Sequence, residues 1–146
     1  MTEPDHQRIL GGWAALVASK AWDRMGDYVA DDAVFEYVQS GERFRGLANI
    51  RATFENYPDL GPGTTELSEV IGGADYALGP NYTLLTVDGS GDRGTSLLRV
   101  RYPDGSLWWA VGLYRLRDGK IAHMRTFFAP DFDAPDWRAP YREGDA

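Results

Sequence analysis

The sequence predicts a single α+β domain over residues 1–146, with helices first and a meander of strands after them. Apolar residues recur at helical spacing up to about residue 57, and Gly-bearing turns separate strand-like segments after residue 64. This segregation is typical of the α+β class, because α/β folds alternate the two kinds of element. A chain of 146 residues is long enough to bury a core without a metal or a disulfide.

The first half predicts three helices and one strand. Residues 6–20 predict a helix because apolar residues share one of its faces, and a shorter helix is expected at about 22–29. Residues 30–33 predict a turn, and residues 34–38 predict a strand rich in β-branched and aromatic side chains. The third helix is expected from Leu47 to Tyr57, where Pro58 and the glycines beyond it end the helical pattern.

The second half predicts five strands, at 65–71, 82–88, 95–102, 106–116 and 120–128. The tail, residues 129–146, is rich in Pro, Asp and Arg but keeps three aromatic residues, Phe132, Trp137 and Tyr141. Because exposed aromatics are costly, we expect this tail to dock against folded protein.

Turn chemistry predicts the register of the last two hairpins. Pro103 favours a type I turn, and Gly105 after it favours a three-residue loop that ends in a bulge. The same interpretation of residues 117–119 pairs Leu116 with Lys120. Counting back along the strands gives the expected partners Val100–Trp108, Leu98–Ala110, Gly112–Met124, Ala110–Thr126 and Trp108–Phe128.

Paired residues share a face of the sheet, so this register defines two faces. The apolar face, expected to meet the helices, carries Leu98, Val100, Trp108, Ala110, Gly112, Tyr114, Met124, Thr126 and Phe128. The opposite face carries Leu97, Arg99, Arg101, Trp109, Val111, Arg115, His123, Arg125 and Phe127. Because the second face mixes arginines with large apolar side chains, we expect it to form a homodimer interface.

Composition excludes several classes of function. The chain has no cysteine and only two histidines, which excludes a thiol nucleophile and a zinc ribbon and disfavours a metal site. Its net charge of -7, without any adjacent Lys or Arg residues, disfavours binding to nucleic acid. We expect no membrane span, no signal peptide and no cofactor, and the default localisation is cytoplasmic.

Three segments resemble a bacterial, SnoaL-like branch of the nuclear transport factor 2-like (NTF2-like) superfamily. They are residues 28–36, 44–46 and 114–121, and the resemblance extends from the first helix to about Phe128. It implies a cone, in which a strongly bent antiparallel sheet wraps around the long first helix and leaves an apolar cavity at one end. Members include ketosteroid isomerases, polyketide cyclases, dehydratases and epoxide hydrolases, so the fold alone selects no reaction.

The catalytic positions of these enzymes carry other residues here. Ketosteroid isomerases use a tyrosine on the first helix, a carboxylate on the first strand and a carboxyl group on the penultimate strand. Those positions hold Trp13, Tyr37 and Gly112. Aldol-type polyketide cyclases place their aspartate at the position of Gly112. A glycine transfers no proton, and we expect it to leave room for a ligand.

Tyr37, Glu69 and Tyr114 are the candidate catalytic residues. Tyr37 would hydrogen-bond a ligand carbonyl or hydroxyl, Tyr114 would act as a general acid or a hydrogen-bond donor, and Glu69 would move a proton if its strand face looks inward. Alternatively, the tyrosines only pack, and Glu69 is a solvated or ion-paired surface residue. His123 is expected on the outer face in a packing or interface role. The expected ligand-lining residues are Trp13, Phe54, Tyr57, Val100, Trp108, Gly112, Met124 and Phe128.

These observations predict a pocket for a small apolar molecule. The first hypothesis is a cofactor-independent isomerase, cyclase or dehydratase that acts on a polyketide-, steroid- or terpenoid-like substrate. The second is a non-catalytic binder of such ligands, and the third is a dimerisation module whose pocket is filled by its own aromatics. A titratable group that faces inward would favour the enzyme, whereas an aromatic lining would favour the binder.

Overall fold

A computed structural model describes residues 4–56, 68–70, 75–77, 82–101 and 107–144, with the backbone alone for 68–70, 75–77, 82–85 and 101. In this part of the chain the α-helices are α1 (His6–Ser19) and α2 (Leu47–Glu55), and short 3-10 helices span Trp22–Asp27 and Asp136–Tyr141. The strands are β1 Val29–Tyr37, β2 Glu42–Arg45, β3 Ser68–Val70, β4 Asp75–Ala77, β5 Tyr82–Ser90, β6 Arg93–Arg101, β7 Leu107–Arg117 and β8 Lys120–Pro130.

The strands form one curved sheet that does not close into a barrel, as the cone architecture requires. Their order is β2-β1-β8-β7-β6-β5-β4-β3. Neighbouring strands are antiparallel, with the exception of β1 and β8, which run parallel. The parallel pair joins the first strand to the last, so residues almost ninety positions apart become neighbours.

Helix α1 lies across one face of this sheet. Its start is capped by Asp5, whose carboxylate accepts a hydrogen bond from the backbone N–H of Arg8 at 3.0 Å, and it ends where Lys20 adopts a left-handed conformation. The apolar stripe of α1, which includes Ile9 and Leu10, is buried in a core shared with residues of β1, β5, β7 and β8, and α1 lies nearest to β5. We call the face of the sheet that meets α1 the inner face and the opposite one the outer face.

Several element boundaries differ from the sequence-based expectations. Residues 30–33 belong to β1 and form no turn; a register shift between Val29 and Val34 lets two successive aspartates face solvent. Strands β2 and β4 were not expected, the second helix is a single 3-10 segment, and α2 ends at Glu55. Tyr57 lies outside the described residues, as do most of the strand expected at 65–71 and the turn at 103–105.

The expected three-residue loop between β7 and β8 is wrong. Arg117 pairs directly with Lys120, and both Asp118 and Gly119 have positive φ, at 52° and 75°. This is the two-residue type I′ turn that an Asp-Gly pair favours. A bulge follows at Ala122, because Leu116 pairs with Ile121 and Arg115 with His123.

The assignment of residues to the two faces is nevertheless correct. The shorter turn moves the register by one residue and the bulge moves it by one more, so the expected partners change by two and the faces are kept. Gly112 pairs with Thr126 instead of Met124, Ala110 with Phe128 instead of Thr126, and Trp108 with Pro130 instead of Phe128. Between β6 and β7 the expected pairs Val100–Trp108 and Leu98–Ala110 are confirmed.

The three aromatic side chains of the tail do not pack on the described part of their own chain, so the expected docking of the tail stays a prediction. Phe132, Trp137 and Tyr141 are 82%, 72% and 85% exposed. The 3-10 helix that holds two of them buries no side chain. Within the described residues, no helix has the length and apolar character needed to cross a membrane.

Candidate functional site

The inner face changes from closed to open along the strands. Towards the β7–β8 turn its side chains are fully buried, as Leu116, Ile121 and Met124 show. Towards the other end the inner side chains are only partly buried although they are large and apolar. This open end is formed by Tyr37, Phe44, Phe54, Leu98, Val100, Trp108, Thr126 and Phe128, and it is the candidate site for a ligand.

Aromatic rings build one wall of the open end. The ring of Tyr37 meets Phe44 edge-on at 5.5 Å between centroids and Phe128 at 5.6 Å. These geometries are the favourable ones for aromatic pairs. Tyr37 therefore stands between two phenylalanines with its ring held on both sides, as a residue that orients a ligand requires.

Trp13 anchors the helical side of the site. It is 7% exposed, and its indole ring makes edge contacts with Phe35 at 5.7 Å and Phe54 at 5.5 Å. Phe54 is also stacked, at a tilt, with Trp22 at 5.5 Å. Trp13 thus belongs to the core, and Phe54 presents the more accessible ring towards the open end.

The expected free space at Gly112 is filled. A Cβ atom at this position would lie 2.7 Å from Ser96 Oγ and 3.0 Å from Met124 Sδ. Both of these residues are buried. Gly112 therefore allows the side chains of neighbouring strands to meet over β7, and a ligand at the open end would lie over the adjacent rows of residues instead.

Tyr114 lies at the closed end and does not meet Tyr37. Its hydroxyl donates a long hydrogen bond, 3.5 Å, to the backbone carbonyl of Asp88 on β5, whereas Tyr37 contacts β2 and β8. Burial, with a smaller contribution from the Asp88 carboxylate, raises the pKa of Tyr114 to about 12. A phenol held neutral in this way is a packing residue with a weak hydrogen bond, and a poor proton shuttle near neutral pH.

His6 completes the closed end. Its ring is 93% buried, lies 5.7 Å from the ring of Tyr114, and bonds through Nε2 to the carbonyl of Gly91 at 2.9 Å. Two glycines make this packing possible, because a Cβ at Gly89 or Gly94 would come within 2.4 Å of one of the two rings. This polar pair fastens the start of α1 to the β5–β6 hairpin.

The backbone register places position 69 in a row that leads to the open end. Glu69 pairs with Tyr76, Tyr76 with Leu84, and Leu84 with Leu98 of the inner face. The row continues through Ala110 to Phe128. Residues paired in this way share a face, so Glu69 holds an inner-face position.

On the outer face, Glu36 is surrounded by basic side chains. His123 Nε2 lies 2.7 Å from its carboxylate, Arg43 Nε 3.1 Å and Arg125 Nε 3.2 Å. Burial alone would raise the pKa of Glu36, but the hydrogen bonds and charges of these three groups outweigh it and lower the pKa. His123 has the structural role on the outer face that the sequence predicts.

The sequence-based list of ligand-lining residues missed three members of the open end. Phe44 lies on β2, a strand that the pattern did not reveal, and its pairing with Phe35 brings it inward. Leu98 and Thr126 were assigned to the apolar face but not to the site. No group of three or more His, Cys, Asp or Glu residues suited to a metal occurs in the described parts of the chain.

Comparisons with known proteins agree on the family and the fold. Residues 11–124 match the SnoaL-like domain family. No curated protein is significantly similar in sequence to this chain.

Solved structures share the fold over nearly the whole chain. An NTF-2-like protein of unknown function from Burkholderia xenovorans LB400 is 24% identical, with a TM-score of 0.74 over 96% of this chain and 94% of that one. A candidate ketosteroid isomerase from Kribbella flavida DSM 17836 is 16% identical, with a TM-score of 0.73 over 97% and 90%. An LEH-like epoxide hydrolase from M. tuberculosis is 15% identical, with a TM-score of 0.59 over 84% and 81%.

Proposed function

This chain belongs to the SnoaL-like domain family, and we propose that it binds a small, apolar, ring-containing molecule at the open end of its inner face. The observation that carries this proposal is the set of large apolar side chains left only partly buried there, on a face that is otherwise closed. A fold that binds small molecules in related proteins gives the proposal its context.

The chemistry of the open end favours a neutral ligand of polyketide, steroid or terpenoid type. Aromatic edges and faces from Tyr37, Phe44 and Phe128 offer contacts to fused rings. The Tyr37 hydroxyl and Thr126 supply polar groups for a ligand carbonyl or hydroxyl. Burial of about 250 Å² of apolar ligand surface contributes roughly 6 kcal/mol before the cost of association, which corresponds to micromolar binding only in a preformed site.

A panel of steroids, polyketide aglycones and terpenoids tests this proposal by thermal shift. The chain offers a matched pair of variants, because Phe128 belongs to the inner open end and its neighbour Phe127 to the outer face. We expect Phe128→Leu to abolish the ligand-induced rise in Tm and Phe127→Leu to retain it, each measured against its own ligand-free sample. A wild-type chain that no ligand stabilises, or equal losses in both variants, would contradict the proposal.

A catalytic role is the second candidate, and the register of Glu69 favours it. Along the sheet, five strand spacings of ~4.8 Å separate position 69 from Phe128. In this proposal the ligand lies over the row between them, with position 69 on one side and Tyr37 on the other. Proton transfer of this kind supports isomerisation, cyclisation or dehydration without a cofactor.

Glu69→Gln separates the enzyme from the binder. For an enzyme, we expect the variant to keep the thermal shift of the wild type and to lose turnover of the same ligand by a factor of about 10² or more, followed by chromatography with mass detection. Tyr37→Phe should lower ligand affinity by removing one hydrogen bond. Unchanged ligand after prolonged incubation with the wild type would leave binding as the function and exclude catalysis on that compound.

A further inference from the structure

The C-terminal tail begins in a fixed position on the outer face. Asp131 accepts hydrogen bonds from both terminal nitrogens of Arg99 at 2.5 Å each and from the Trp109 indole N–H at 2.9 Å. Arg99 in turn lies over the Trp109 ring at 4.2 Å. This paired, stacked arrangement holds the chain where it leaves β8, although each charge is partly solvated.

Beyond Asp131 the tail presents a surface that a single chain leaves uncovered. Its aromatics Phe132, Trp137 and Tyr141 are each more than 70% exposed, and the acids Asp133 and Asp136 alternate with them. Each aromatic side chain can bury 150–250 Å² by rough estimate. An exposed aromatic segment of this size marks a contact with another protein surface.

A groove of complementary charge lies at the opposite end of the same outer face. It is an open groove of about 660 Å³ between the β5–β6 hairpin and strands β7 and β8, and its basic side chains Arg93, Arg115, His123 and Arg125 outnumber its single acid, Asp88. Arg93 pairs directly with Arg115, and Arg115 with His123, so three basic side chains form one row across the sheet. Among the described residues neither Arg93 nor Arg115 has an ion-pair partner, and like groups placed opposite each other are destabilising.

The acids Asp133 and Asp136 of the same chain do not reach this groove. Trp109 and Arg115 are six residues apart on β7, about 20 Å, whereas Asp136 is at most about 17 Å of extended chain from Asp131. Strand β8 also runs from the groove towards Trp109, so the chain is moving away from the groove when the tail begins. An acidic segment that pairs with the groove through Asp133 and Asp136 therefore comes from another chain.

We propose that the acidic, aromatic tail of a second copy of this chain occupies the groove, in a reciprocal dimer. The two ends of the outer face are separated by an apolar stretch that includes Val111 and Leu113, which are 36% and 38% exposed. In this dimer the two outer faces lie against each other and are related by a two-fold axis that runs between the sheets, perpendicular to β7 at about position 112. The partner then covers the apolar stretch, and the end of each outer face where the tail begins lies opposite the groove of the partner. The proposal is independent of the ligand site, which lies on the inner face.

Charge reversal tests the contact in solution. The double variant Arg93→Glu/Arg115→Glu reverses the charge of two groove residues, and Asp133→Lys/Asp136→Lys reverses the charge of two tail residues. We expect each variant alone to weaken the dimer at least tenfold by light scattering, because every tail then meets a like charge. An equimolar mixture should recover the dimer, since one contact of the mixed pair is native and the other has both charges exchanged. A wild-type chain that is monomeric, or a mixture no tighter than its parts, overturns the proposal.

Cross-linking tests the geometry. Because the chain has no cysteine, only the introduced cysteines react with the reagent. A mixture of the single variants Asp136→Cys and Arg115→Cys should give a covalent dimer with a short bis-maleimide reagent. Asp23→Cys, which is exposed on the first 3-10 helix, replaces the tail cysteine as the control and should give none above background. Cross-linking of a double variant within one chain, at the monomer mass, would show that the tail fills its own groove and would refute the proposal.

Discussion

The inner and outer faces of β7 and β8 are built from alternate residues of the same strands, yet they differ in every property that decides binding. On β7, Ala110, Gly112 and Tyr114 are buried, whereas Val111, Leu113 and Arg115 between them are exposed. The inner face is neutral and aromatic at its open end. The outer face carries Arg93 and Arg115, for which the described residues provide no ion-pair partner, beside exposed apolar residues. One strand pair thus carries both the surface proposed for a small uncharged molecule and the surface proposed for the tail of a second copy.

The difference follows from what each face must exclude. The inner face is closed by α1 over most of its length, so any charge placed there would be desolvated without a partner. The outer face has no such cover in the described part of the chain, and there the charges of the arginines can stay hydrated. This explains how a chain of net charge -7 can still present a basic groove.

The largest expected effect is the loss of stability when a buried side chain at the closed end is truncated. Ile121 is fully buried, so Ile121→Ala should lower the free energy of unfolding by about 4 kcal/mol, through lost burial and the cavity that remains. Val111→Ala on the outer face should cost less than about 1 kcal/mol when measured by urea unfolding at a concentration that keeps the chain monomeric. Similar losses in the two variants would contradict the division into a buried and an exposed face.

Alkaline pH should affect the closed end next. Tyr114 ionises at about pH 12 in the folded chain and near 10 when unfolded, so its contribution to stability is complete below pH 10 and is lost as the pH rises towards 12. Two pKa units correspond to about 3 kcal/mol. Tyr114→Phe should lack this part of the alkaline decline in urea titrations. Parallel curves for the variant and the wild type between pH 10 and 12 would show that burial does not hold this phenol neutral.

Much of this division could be predicted from the sequence, because it depends on alternation. The faces of β7 and β8 were assigned correctly although the turn at 118–119 and the bulge at Ala122 were both missed, since the two shifts cancel in parity. The Asp-Gly pair itself indicates a type I′ turn, so that turn was open to prediction.

Other features depend on contacts that no local pattern encodes. The basic groups around Glu36 come from both of its neighbouring strands. Arg43 is its partner across the β1–β2 hairpin, whereas His123 and Arg125 reach it because β1 runs parallel to β8, across separations of 87 and 89 residues. The filling of the space at Gly112 depends on Ser96 and Met124 from two different strands. A pattern within one strand identifies the glycine, but it does not identify the atoms of other strands that fill the space beside it.

Gly112 provides a test of whether the inner face is filled or empty at its centre. Gly112→Ala should destabilise the chain by about 2 kcal/mol, because the new methyl group would contact Ser96 Oγ and Met124 Sδ at less than normal distances. Ser96→Ala removes the nearer atom, so the double variant should recover part of the loss, which a double-mutant cycle in urea measures. A neutral Gly112→Ala without coupling to Ser96 would indicate open space at this position.

The smallest expected effect concerns the outer face, where Asp131 holds the first residues of the tail in place. The Arg99 hydrogen bonds lower the pKa of Asp131 despite opposing desolvation, so its contribution is present at neutral pH and is lost as the pH falls through its folded pKa. Asp131→Asn should therefore differ from the wild type slightly at pH 7 and not at all in strong acid. Because the side chain is largely solvated, we expect little change in monomer stability and a larger one in dimer affinity, measured by light scattering. If the variant dimerises like the wild type, the tail does not need the Arg99–Asp131 pair to hold its first residues in place. If the variant loses dimer affinity but keeps its monomer stability, the Arg99–Asp131 pair acts in assembly. The residues of the buried inner face, by contrast, stabilise the fold itself.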